Sequence, residues 1–173
     1  YRAFRDAFQA HYPDVEVLFA NKSNNGLAIR HIMNQEGAGG DCFGAQEMYI
    51  ALLAGTNPAT LVLNGSNKQD IELEMAIQNG VCINIDAMDE LDRIAAIATR
   101  LGRSADLGIR LKLDLEPLRD RHGVSMHGPG TLKHQSDSTK WGMTREQTAA
   151  IVRRAQAMPN MRLKETHFHL SRM

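Results

Sequence analysis

The sequence predicts an α/β protein, a partial (β/α)8 TIM-like barrel with about six of its eight strands. Three observations predict it. Short apolar runs alternate with amphipathic helical stretches along the chain. The connections are a few residues long, so each helix returns the chain to the same edge and successive strands run parallel. In LGIRLKLD, residues 107–114, Ile109, Leu111 and Leu113 share one face while Arg110, Lys112 and Asp114 share the other. Strands covered by helices on both faces tend to be apolar throughout, whereas a polar face toward the strand ends suits a barrel mouth.

The elements follow in order. VLFA, inside a strand at 15–21, reads as buried, and Asn24, Asn25 and Gly26 form the turn that ends it. The next helix places Ile29, Ile32 and Met33 on one face, and Gly37, Gly39 and Gly40 stop it. A short strand at 41–44 precedes a helix at 45–54. TLVLN at 60–64 is the third strand, followed by a helix from Gln69 to Asn79 and by strand CINID at 82–86. The following helix opens on Asp89 and Glu90, whose carboxylates suit a helix N-terminus, and carries the stripe Leu91, Ile94, Ala95, Ala98 and Leu101. Strand five is 107–114. Thr144 and Gln147 have capping-box spacing ahead of Thr148, Ile151, Val152 and Ala155, and MRLKETHFHL at 161–170 is strand six. The segment from Pro117 to Ser138 breaks the rhythm as a long loop, which is usually functional or disordered. Its His122, His127 and His134 are unevenly spaced and read as solvent-facing side chains, with no metal site.

Composition bounds the function. With 173 residues and 43% hydrophobic content the chain can bury a core as one domain, 1–173. Lysine plus arginine and aspartate plus glutamate number 20 each, so no net field favours nucleic acid or an anionic membrane. Cys42 and Cys82 read as small core hydrophobes, and neither a signal peptide nor a long apolar span is visible, so a reduced, cytoplasmic protein is expected. The last residues, SRM, follow directly on strand six, so the chain reads as a fragment whose edges at 15–21 and 162–169 invite association.

One residue resists the apolar pattern. Lys22 stands at the end of a strand, where ordering and partly desolvating a long cation costs free energy. A lysine that caps a strand by snorkelling would explain it.

FANKSNN, GGDCFGAQEMYIALLAG, NKQDIELEMAIQNGVCINIDAMDEL, GIRLKLD, TKWGM and HFHLS, in that order, resemble the fold-type III pyridoxal-phosphate decarboxylases. These include the diaminopimelate, ornithine and arginine decarboxylases, with alanine racemase a more distant relative. The resemblance implies a β/α barrel with a C-terminal β domain that is absent here, and a homodimer with shared active sites. It also implies pyridoxal 5'-phosphate held on Lys22 as a Schiff base, and decarboxylation of diaminopimelate or a similar basic amino acid. Asp41 and Glu47 match acidic positions near the cofactor, although a strand-end acid and a helix-start acid would account for them equally. Arg110 would lie near the ring or its phenolic oxygen, with an ion pair to Asp86 or Asp114 as the structural alternative. His169 would pack on the ring, with His167 sharing its parity. Where the family has glycine then serine, this chain reads Leu170, Ser171, Arg172, so either Ser171 or Arg172 would hold the phosphate. Two other readings stay open: a metal-dependent barrel hydrolase using His167 and His169, and a non-catalytic relative that keeps the fold.

Overall fold

The computed structural model describes residues 1–112 and 141–169. Six strands form one sheet in strict chain order: β1 (Leu18–Ala20), β2 (Gly39–Cys42), β3 (Leu61–Leu63), β4 (Cys82–Ile85), β5 (Ala105–Arg110) and β6 (Met161–His167). Every neighbouring pair is parallel. Among the described residues the helices are α1 (Arg2–Gln9), α2 (Leu27–Gln35), α3 (Ala45–Leu53), α4 (Asp70–Asn79), α5 (Glu90–Leu101) and α6 (Arg145–Gln156). None of them is long and apolar enough to cross a membrane.

Register sorts the residues into two faces. Ala20 pairs with Asp41, Asp41 with Val62, Asn84 with Gly108, and Arg110 with His167, and these share the concave side. The other side carries Cys42, Leu61, Leu63, Ile83, Ile85, Leu107 and Ile109, all buried against the helices. Leu73, Ile77, Leu91, Ile94 and Ile151 meet them from α4, α5 and α6. Each such side chain contributes about 1.5–3 kcal/mol on burial, so the hydrophobic term holds strands to helices and leaves the concave face free for polar groups. That face is curled. Leu18, Val62, Cys82, Asp106 and Glu165, from five different strands or their ends, line one cavity of about 220 Å³. Across it Glu165 reinforces the effect of burial in pushing the Glu16 carboxyl up.

The helix ends follow local rules. Thr144 and Gln147 form the expected reciprocal capping box, with the Gln147 amide donating to Thr144 Oγ1 at 3.3 Å and the Thr144 amide to Gln147 Oε1 at 2.9 Å. Gln69 and Glu72 form another at α4.

Several expectations are corrected. The second strand begins at Gly39, not at 41, and Gly37 alone ends α2, at φ +81°. Gly39 belongs to the sheet because a Cβ there would lie 2.2 Å from Leu18 Cδ2 and 2.5 Å from the Thr60 carbonyl oxygen. The strand reads poorly in sequence because its packing demands glycine. On α2, Ile29 and Ile32 are exposed while Arg30 is buried, since its guanidinium turns inward to the carbonyls of Ala38 and Gly39. β1 is half-buried, not fully buried. Strand five starts at Ala105, and α1, with no buried residue, has no counterpart in the sequence reading. Leu113, Asp114, the 117–138 segment with its three histidines, and Leu170, Ser171 and Arg172 lie outside the described residues.

Candidate active site at the strand ends

Lys22 is placed by its neighbours. After β1 the chain makes a 3-10 turn, Asn21–Ser23, and Asn21 turns inward, 1% exposed. Its Nδ2 donates to Cys42 Sγ at 3.1 Å, and its Oδ1 accepts from Arg30 Nη1 at 3.4 Å. Arg30 Nη1 also donates to the Gly39 carbonyl at 2.9 Å, so α2, β2 and the turn are tied together behind Lys22. Lys22 itself is exposed, with Nζ 5.5 Å from the centre of the Phe43 ring. The expected desolvation is not found, because the turn lifts this residue past Ala20, the last paired residue of β1.

A row of amides crosses the concave face. Asn84 Nδ2 donates to Asn64 Oδ1 at 2.7 Å, and Asn64 Nδ2 donates to Asp41 Oδ1. Gly108 makes room for the row, since a Cβ there would lie 1.7 Å from Asn84 Oδ1. That oxygen is buried and without a partner among the described residues. Glu47 accepts the Phe43 amide at 2.7 Å from the first turn of α3, the role of a helix-start acid.

Beyond the amides lies a buried charge network. Arg110 Nη1 meets Asp86 Oδ1 at 3.0 Å, the ion pair foreseen as the structural role of this arginine, and the Gly142 amide donates to the same oxygen at 3.2 Å. Arg110 also lies 5.7 Å from the centre of the Trp141 ring. Lys68 Nζ meets Glu90 Oε2 at 3.0 Å and the Gly65 carbonyl at 2.7 Å, and Glu90 Oε2 accepts the Asp86 amide at 2.9 Å. Burial pushes the Lys68 ammonium down, and the Glu90 carboxylate opposes it.

The two histidines close the rim. Their rings stand 5.0 Å apart, edge to face. Burial, then His169, Arg110 and Lys68, push His167 down to about 4, and its Nδ1 is buried without a partner among the described residues. His169 is also lowered, by burial and by Arg110 and Lys22, with Asp41 opposing. Both rings are therefore neutral at pH 7.

The structure thus gathers Lys22, Asp41, Arg110, His167 and His169, from both ends of the sheet, on one rim; Glu47 stays at the start of α3, on the Phe43 amide. Among the described residues no third His, Cys, Asp or Glu joins the histidine pair as a possible metal ligand. Lys68, Glu90, Asn64, Asn84 and Arg30 escaped the sequence reading of the site. Asn64, which closes TLVLN, carries one legible signal, a polar residue at the carboxyl end of an apolar strand.

An amine, a fixed guanidinium and neutral imidazoles on one concave rim are a donor set that fits pyridoxal phosphate. Comparison with known proteins agrees. Residues 1–172 match the family described as "Pyridoxal-dependent decarboxylase, pyridoxal binding domain". The chain is 36% identical over 118 residues to a diaminopimelate decarboxylase of Methanothermobacter thermautotrophicus, covering 68% of this chain and 26% of that protein. It is 29% identical over 171 residues to the diaminopimelate decarboxylase of Pseudomonas aeruginosa, covering 98% and 39%. The crystal structure of diaminopimelate decarboxylase from Helicobacter pylori complexed with L-lysine superposes with a TM-score of 0.80 at 25% identity, over 97% of this chain and 41% of that one. The chain therefore spans well under half the length of these relatives. Six parallel strands in barrel order and a family match over nearly every residue lead to one assignment: this chain belongs to the pyridoxal-dependent decarboxylases and matches their pyridoxal-binding domain.

Proposed function

We propose that residues 1–173 form the cofactor-binding barrel part of an amino-acid decarboxylase, acting on diaminopimelate or a similar basic amino acid. The observation that carries this is the convergence of Lys22, Arg110 and His169 at the carboxyl ends of β1, β5 and β6 on one concave face. Lys22 would hold pyridoxal 5'-phosphate through Nζ and is free to do so, being exposed and stationed by the buried Asn21. When bound, the cofactor supplies an electron sink for the pair left on the substrate α-carbon as carbon dioxide departs.

The chain's own residues do the rest. Arg110, fixed on Asp86, presents a positive charge that does not have to reorganise as negative charge develops. His169, neutral at pH 7, offers a flat imidazole face without a competing charge. Asp41 is oriented by Asn64 and balances the cations of Lys22 and Arg110 around that ring. Ser171 or Arg172 would hold the phosphate. The intact enzyme is proposed to be a cytoplasmic homodimer. Borohydride reduction of the protein with pyridoxal phosphate, followed by peptide mapping, should place the pyridoxyl label on Lys22, and Lys22→Ala should remove it. Label on another lysine would overturn the assignment.

A further inference from the structure

Lys68 and Glu90 are each 2% exposed, among the few charged groups buried that deeply in the described residues. A buried ion pair is a poor source of stability, because desolvating two charges offsets most of their attraction and a well-packed apolar pair often does as well. Its position suggests another use. Lys68 lies in the loop after β3, Glu90 opens α5, Asp86 follows β4 and Arg110 ends β5, so the four charges link three consecutive strand ends. They run in the order plus, minus, minus, plus. Lys68 donates to Glu90, Glu90 accepts the Asp86 amide through the same oxygen, and Asp86 accepts from Arg110. The loop that carries Lys68 is itself pinned, since Arg93 donates to the Lys68 carbonyl at 2.7 Å and to Asp70 at 2.5 Å.

We propose that Lys68 is a positioning residue for Arg110: by neutralising Glu90 it leaves the Arg110 guanidinium to Asp86 alone, and so fixes the cation that faces the bound cofactor. Two buried carboxylates and one guanidinium would remain without it, and Glu90 would then compete for Arg110. The proposal rests on the decarboxylase reading given above.

The test follows the pH midpoint of the visible absorbance of pyridoxal phosphate bound to the full-length protein, with thermal melting of each variant alongside. Among the described residues, the groups facing Arg110 are Asp86, Lys68, His167 and His169. A fixed cation near the phenolic oxygen of the cofactor favours its anionic form, so loosening Arg110 should raise the midpoint. Lys68→Met should raise it by about one pH unit. Arg110→Gln should raise it too, and adding Lys68→Met to Arg110→Gln should produce no further shift. Lys68→Met/Glu90→Gln should return the midpoint toward wild type, because glutamine still accepts the Asp86 amide but no longer attracts Arg110. Glu90→Gln alone leaves Lys68 to draw on Asp86 and should shift the midpoint upward, which covers the case of an unfolded Lys68→Met. A lowered melting temperature with the midpoint unmoved in both single variants would overturn the proposal, as would additive shifts with Arg110→Gln. Wild-type protein that takes no pyridoxal phosphate on Lys22 would overturn the functional reading, and this inference with it.

Discussion

At the scale of single residues, His167 and Gly108 expose how the concave face is balanced. His167 titrates normally near 6.5 in an unfolded chain but near 4 here. Between those values the unfolded chain binds more protons, so stability is full above pH 6.5 and falls as pH drops toward 4. The ring is only partly buried, so solvent screening limits the loss to about 1–2 kcal/mol. Urea unfolding at pH 7.0 and 5.0 should show this loss, and His167→Gln should flatten the slope. Gly108 is a matter of space. In Gly108→Ala the new methyl group would displace Asn84 and cut the row that orients Asp41, at a cost of about 1–3 kcal/mol. Denaturant titration should register that cost, and Asn84→Ala in the same chain should relieve most of it.

At the scale of elements, local signals were legible wherever an element answered to its own chemistry. α6 is the clearest case: its capping box, its Ile151 and Ala155 face and its start at Arg145 all follow from spacing. Thr144→Ala should therefore destabilise the protein by about 1 kcal/mol, measurable by thermal melting. α2 shows the opposite. Its apolar spacing is genuine, yet Arg30 is the side chain that goes inside, because two carbonyls of the incoming β2 need a donor there. The start of β2 is hidden in the sequence for a related reason, since close strand-to-strand approach selects glycine, the residue that normally signals a break.

At the scale of the whole molecule, six strands in one curled sheet leave β1 and β6 each with a single neighbour among the described residues. Phe4, Phe8, Ile29 and Ile32 are exposed on α1 and α2. Open edges together with apolar patches favour association. Residues 1–173 expressed alone should sediment as concentration-dependent oligomers, and Phe8→Lys/Ile32→Lys should shift that equilibrium toward monomer. Unchanged sedimentation in the double variant would assign the association to the strand edges instead.

The sequence by itself determined the α/β class, the order of six parallel strands and the sorting of Ile109 from Arg110, because strand parity and capping are local properties of the chain, while the candidacy of Lys22 came from the family resemblance that FANKSNN carries. Only the tertiary structure decided that Lys22 stays exposed, that Arg30 goes inside, and that Lys68, Glu90, Asp86 and Arg110 form one network. Those facts join residues up to 42 positions apart, as Lys68 and Arg110 are, and depend on which charges burial forces to share a partner. That sharing is set by the low-dielectric space between strand ends, which exists only once the sheet has curled.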